Sequence, residues 1–339
     1  MLADELLQVE PEFRSGAWWL DARMPRERCV VTHAHADHIG RHAMVLATPE
    51  TCDFLKHRLF GEGEDGSETG DVAVSQTVAL PFGQAYRDGD ETIELFSAGH
   101  VLGSAMVRIT TPRGRLLYTG DFRLKGDALT VPPAEVVETD VLLAECTFGL
   151  PRYRFEPRAV VVERLCDLIA ASFAEGKQPV CLCYSLGKAQ EVAAHLCKNG
   201  FAVTMHGAAY AITQLYEAHG VKIGDYRAYE AGKVEGTVLI VPPHVRNSRM
   251  ITNLANAEIF VITGWAMDTG CKYRHKAQHA LAISDHADFD ELVEFVQRTR
   301  AKEILLTHGF ARDFCRTLRG MGLNARLARP PAQGVLFDD

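Results

Sequence analysis

An apolar run, Cys29-Val30-Val31, gives way to the segment "THAHADH", and no other junction constrains the fold as tightly. His33, His35, Asp37 and His38 place three imidazoles and a carboxylate within six positions, directly after what reads as a buried strand. A single histidine is ordinarily a surface residue or a satisfied core residue. An H-x-H-x-D-H cluster at a strand end is different. Imidazole and carboxylate donors this close suit zinc, with manganese or iron as alternatives. Adjacent Asp37 and His38 point differently from His33 and His35, so the loop can serve two metals. Such a chain needs a rigid strand behind the loop and further donors brought in from elsewhere.

Short loops supply those donors. "SAGHVLGS" offers His100 after the strand-like run "TIELFSA". "LYTGDFR" offers Asp121 at another strand end, and "LLTHG" offers His308, in an echo of "VVTHAH". The set divides into His33, His35 and His100 for one metal, and Asp37, His38 and His308 for a second, with Asp121 bridging. That division leaves room for a water, as a catalytic site requires. Two divalent ions, zinc first and manganese second, are the expected cofactors.

The rest of the pattern describes an α/β chain. From Gly16 to about Cys146, short β-like runs alternate with turn residues. "GEGEDGSETGD", residues 61–71, reads as an exposed loop. From about Pro151 to Gly270 helical and strand-like runs alternate, which predicts a partly parallel sheet. Strand, turn, helix and strand follow to the second Thr-His. No apolar run approaches the ~20 residues of a membrane span. The acidic start "MLADELLQVEPEF" lacks the order of a signal peptide, so a cytoplasmic, membrane-free protein is expected. Nine scattered cysteines without a C-x-x-C pair read as buried reduced thiols. A net charge of −8 argues against coating nucleic acid through bulk charge, though not against a local basic groove.

These residues resemble the metallo-β-lactamase superfamily. Asp21 in "WWLDA" matches its first motif, "THAHADH" its second, His100 its third and Asp121 its fourth. Glu145 in "LLAECTFG", His286 in "ISDHADF" and His308 in "LLTHGF" resemble motifs A, B and C of the nucleic-acid-processing β-CASP branch. "ECTFGLPRYRF", "YSLGKAQEVAAHL" and "MHGAAYAITQLY" are similar to segments of bacterial DNA-ligase-associated exonucleases. The resemblance implies an αββα sandwich formed by residues 1–150 and 271–339, with an α/β β-CASP cap over 151–270. It implies a two-metal phosphodiesterase with Asp37, His286 and Glu145 taking part in the chemistry. The expected activity is 5′-to-3′ degradation of single-stranded DNA in repair, with functional association with a DNA ligase or helicase implied by resemblance alone. An RNA-processing β-CASP ribonuclease is the alternative. A small-molecule metallo-hydrolase and an inactive scaffold rank lower, because motifs A to C are present and every ligand position is filled. Ser185 and Lys188, at the start of a helix after "CLCY", are candidates for holding a substrate phosphate. The plain reading of the same pair is an N-cap at Ser185 and a solvated Lys188.

Overall fold

The computed structural model describes residues 1–10, 12–60 and 76–328, so the expected loop at 61–71 lies outside the described residues. The chain divides into two compact units. The first comprises residues 1–126, 133–154 and 286 onward, and the second 127–132 and 155–285.

The first unit contains two sheets. Five strands run Arg14–Ser15, Trp18–Leu20, Arg28–Val30, Met44–Ala47 and Gln76–Ala79 across one sheet, parallel except for the opening pair. Seven strands form the other, in the order Ala325–Leu327, Glu303–Thr307, Val141–Glu145, Gly114–Tyr118, Ala105–Thr111, Glu91–Ser97 and Ala85–Asp88. The first four of these are mutually parallel and the remainder are antiparallel. Period-two alternation explains the layering: Ile93 and Leu95 bury one face of their strand, and Trp18, Leu20, Val30 and Leu46 meet them from the facing sheet. The opposite face of the larger sheet is covered by the helices Phe289–Arg298 and Ala311–Gly320, through Phe295, Phe314 and Leu318. The helix Pro49–Phe60 buries Cys52, Phe54 and Leu55 beside the smaller sheet. The layers are therefore αββα.

The second unit is one six-stranded sheet, all parallel, in the order Tyr226–Ala228, Val203–Met205, Val238–Val241, Gln178–Leu182, Ala257–Ile262 and His279–Leu281. The helices Arg158–Ala174, Lys188–Lys198 and Gly207–Ala218 cover one face. Short helical turns carrying Val245, Ile251, Ala266 and Cys271 cover the other.

The unit bounds at 155 and 285 differ from the expected 151 and 270. The return to the first unit comes later because His279–Leu281, which reads as its opening strand, pairs with Ala257–Ile262 at the edge of the second sheet. Residues 127–132 join the second unit through Glu191. This buried carboxylate accepts from the Leu129 and Thr130 N–H groups and, at 2.6 Å, from the Thr130 hydroxyl. It also faces Arg158 at 2.5 Å and His195 at 2.9 Å. Among the described residues no helix is long and apolar enough to cross a membrane.

Candidate metal centre

Every donor loop in the first unit follows a strand. The segment from Thr32 to His38 follows Arg28–Val30, and the Thr32 carbonyl accepts from Ala105 N–H at 2.9 Å, fixing the loop against the larger sheet. His100 lies in the turn after Glu91–Ser97. Asp121 comes three residues after Gly114–Tyr118, Glu145 ends Val141–Glu145, and His308 follows Glu303–Thr307 with a left-handed backbone, φ 57°. Carboxyl ends of like-directed strands are where open α/β sheets collect their ligands.

The structure brings His33, His35, His100 and Asp121 together, with one donor atom of each within 4.8 Å of the others. His35 presents Nδ1, which lies 3.1 Å from His33 Nε2 and 3.0 Å from His100 Nε2. Asp121 Oδ2 stands 3.6 Å from His33 Nε2 and 3.7 Å from His100 Nε2. A tetrahedron with metal–ligand arms of ~2.0–2.1 Å has edges of about 3.3–3.4 Å. Four buried or half-buried donors at these separations fit a divalent cation.

On the other side of Asp121, its Oδ2 is 3.3 Å from His38 Nε2, which in turn is 3.6 Å from Asp37 Oδ2. Asp37 and His308 are the open members of this group, the Asp37 side chain 62% exposed and the His308 ring 6.0 Å from that of His38. The donors of Asp37, His38 and His308 are looser than the first four. Among the described residues the other compact group of donors is Asp121, Glu145 and His286.

Electrostatics follow from burial. Burial, then the neighbouring His38, His100 and His35, hold the His33 pKa well below its ordinary value, as a neutral metal ligand requires. Burial pushes His38 the same way, but Asp121 and Asp21 prevail and raise it. Desolvation by the surrounding protein, then the neighbouring His38, lower His308.

Glu145 and His286 form a pair beside this centre. His286 Nδ1 lies 2.9 Å from Glu145 Oε1, and its ring lies 4.6 Å from that of His100, tilted 54° to it. Glu145 also accepts from Phe122 N–H at 3.2 Å and Thr147 N–H at 2.9 Å. Burial and Asp121 disfavour its charge, but His286 and the Thr147 N–H prevail and hold its pKa below the ordinary value.

Ser185 and Lys188 stand elsewhere, in the second unit. The helix begins at Lys188 with Gly187 as its cap, whose N–H donates to Gln190 Oε1 at 2.8 Å; Ser185 contributes its carbonyl to Gln190 Nε2. Lys188 is 3% exposed, and its ammonium is 2.7 Å from Asp285. The expected solvated Lys188 is thus an inward-facing lysine paired with Asp285. The run from Leu186 to Leu196 is buried on every side, so the lysine is carried inward and engaged by a carboxylate there.

The residues that sequence reasoning missed surround Asp21. Its carboxylate accepts from Thr32 N–H and from the hydroxyls of Thr32 and Tyr118, and it faces His38 Nδ1 at 2.8 Å. The signal available was the Thr before His33 and the Tyr three residues before Asp121.

Comparison with known proteins agrees with this geometry. Residues 28–163 match the metallo-β-lactamase superfamily, and residues 272–327 match a family described as a Zn-dependent metallo-hydrolase RNA specificity domain. A protein named "Probable DNA ligase" from Opitutus terrae is 36% identical over 91% of this chain, which spans 29% of that protein. An "RNase J-like protein" from Methanocaldococcus jannaschii is 28% identical over 48% of the chain and 41% of its own length. The chain thus spans less than half of either relative. A crystal structure of a protein of unknown function from Enterococcus faecalis shares the fold at TM-score 0.54 and 16% identity, over 84% of this chain and 76% of that one.

Proposed function

Because the chain belongs to the β-CASP nucleases of the metallo-β-lactamase superfamily, metal-dependent hydrolases of nucleic acid, we propose that it is a two-metal exonuclease that degrades single-stranded DNA from the 5′ end, in repair and beside a DNA ligase. The observation that carries the DNA reading is the Opitutus protein: nearly all of this chain corresponds to under a third of a protein named for ligation. A segment fused to a ligase suits a nuclease that trims the ends to be joined. RNA is the second reading, favoured by the match of residues 272–327 to an RNA specificity domain and by the RNase J-like relative.

In this reading His33, His35 and His100 hold one cation, Asp37, His38 and His308 hold a second, and Asp121 lies between. Zinc suits the imidazole-rich donors, with manganese as the alternative. Bound there, the pair supplies Lewis-acid polarisation of the phosphodiester and a nucleophile at neutral pH. Glu145 accepts from His286 Nδ1, which fixes the imidazole's orientation and supports its protonated form. His286 then delivers a proton to the leaving 3′-oxygen, a step that typically contributes 10²–10⁴-fold.

The test uses end-labelled single-stranded DNA and RNA of one sequence with Zn²⁺ or Mn²⁺, as 5′-phosphorylated, 5′-hydroxyl and circular strands. Progressive loss of nucleotides from the 5′ end of linear DNA, with the circle untouched, is expected. Rapid cutting of the circle rejects end recognition, and a clear preference for RNA moves the protein to the second reading.

A further inference from the structure

Asp21 lies beneath the histidine loop, its backbone in the left-handed region at φ 46°. Its Oδ1 accepts from Thr32 N–H at 2.7 Å. Its Oδ2 meets three groups: the Tyr118 hydroxyl at 2.9 Å, the Thr32 hydroxyl at 2.7 Å and His38 Nδ1 at 2.8 Å. A carboxylate oxygen only accepts, so each of the three must donate. His38 therefore carries a hydrogen on Nδ1, which leaves Nε2, the atom facing Asp121 and Asp37, as the nitrogen available to a metal.

Thr32 extends the same logic to the other metal position. Its Oγ1 is also 3.0 Å from His33 Nδ1. A hydroxyl has one hydrogen. The carboxylate is the stronger acceptor and the closer one, so that hydrogen goes to Asp21. Toward His33 the oxygen can then only accept. His33 must carry its hydrogen on Nδ1, which leaves Nε2 as the donor atom toward His35 and Asp121. The approach needs Gly120, at φ 52°, because a Cβ there would lie 2.6 Å from Thr32 Oγ1.

We propose that Thr32 is a positioning residue that couples the two metal positions: its hydroxyl fixes the tautomer of His33 while sharing the Asp21 carboxylate with His38. The inference rests on the reading of His33 and His38 as ligands to two metals. It goes further in naming one side chain that fixes the donor atom at one position and meets the carboxylate that fixes it at the other. Groups that orient metal-bound histidines commonly change affinity 10–100-fold when removed.

The test compares Thr32→Val, which keeps the shape without the hydroxyl, and Thr32→Ser, which keeps the hydroxyl. The full chain is stripped with a chelator and retitrated with Zn²⁺ against a chromophoric competitor, and with Co²⁺ followed by its d–d absorption. Thr32→Val should bind about 10–100-fold more weakly and alter the Co²⁺ spectrum, while Thr32→Ser stays within a few-fold of the parent. Parent-like binding and spectrum in Thr32→Val overturn the proposal, as does equal loss in Thr32→Ser. Should Thr32→Val not fold, long-range ¹H–¹⁵N spectra of the Zn²⁺-loaded parent read the tautomers directly. Hydrogen on Nδ1 of both His33 and His38 is expected, and hydrogen on Nε2 of His33 overturns the idea. A parent chain that takes up neither metal overturns it too. A parent that shows these tautomers and affinities yet cleaves no phosphodiester removes the nuclease reading alone.

Discussion

The proton assigned to His286 can be tested by changing what leaves. An alkoxide from a nucleotide needs protonation as the P–O bond breaks, whereas a nitrophenolate leaves without it. Replacing His286 by Ala removes the imidazole but does not strand its partner, because Glu145 Oε1 still accepts from Phe122 N–H and Oε2 from Thr147 N–H. One lost hydrogen bond beside a side chain that is 25% exposed costs about 1–3 kcal/mol of stability at most. The catalytic cost is separable and larger. Loss of a general acid lowers the rate by about 10²–10⁴, which is about 2.7–5.5 kcal/mol of barrier. The assay follows release of mononucleotides from an oligonucleotide and of nitrophenol from a nitrophenyl phosphodiester, by the same purified variant with its metal content measured. His286→Ala should lose the full factor on the oligonucleotide and less than about tenfold on the nitrophenyl ester. Equal losses on both substrates, or loss of metal along with the imidazole, would refute the proton-donor role and make His286 a ligand or a prop.

Asp121→Ala should abolish hydrolysis and lower metal content while the far-ultraviolet circular dichroism is retained; near-normal nuclease activity would remove the shared-carboxylate reading. In the second unit, Glu191→Ala strips Arg158, itself 5% exposed, of its nearer carboxylate, leaving Asp127 at 3.6 Å, and leaves the Leu129 and Thr130 N–H groups without their acceptor. Urea unfolding should show a loss of about 3–5 kcal/mol. Burial raises the Glu191 pKa, but His195, Arg158 and Thr130 prevail and hold it well below the usual range. A folded pKa below the unfolded value of about 4.3 contributes stability that is complete above that pH and is lost as pH falls through the folded value. The parent should therefore lose stability more steeply than Glu191→Ala below about pH 4, and parallel pH profiles would contradict this.

Much of the candidate centre was legible because its side chains sit at strand ends, where an apolar run followed by a polar residue type leaves a local mark. His33, His35, His100 and Asp121 each follow such a run. The layer order was legible for the same reason, since alternation in "TIELFSA" and unbroken apolar runs such as "DVLLAE" distinguish half-buried from fully buried strands. What stayed hidden depends on contacts between distant residues. Nothing in "DALTVP" reveals that Thr130 bonds Glu191, 61 residues away. Lys188 read as a surface cation because composition carries no sign of Asp285 waiting beside it. Ser185 read as the cap because serine favours that role, whereas the Gly187–Gln190 pair starts the helix two residues later.

The pairing of Glu303–Thr307 with Val141–Glu145 also sets a timetable during synthesis. Cys146 leaves the ribosome 162 residues before His308. At ≈5–20 residues per second that is a delay on the order of 10–30 s, with the inner edge of Val141–Glu145 open throughout. Residues 155–285 emerge within this interval, and with 127–132 already out, the second unit has all of its chain before the first does. His286 and His308 arrive last. A nascent chain can thus gather His33, His35, His100 and Asp121, but it lacks the imidazole paired with Glu145 until translation has passed His286. Hydrolysis in this reading is therefore withheld from the growing chain, and the exposed strand edge is the stretch that a chaperone would need to shield in the meantime.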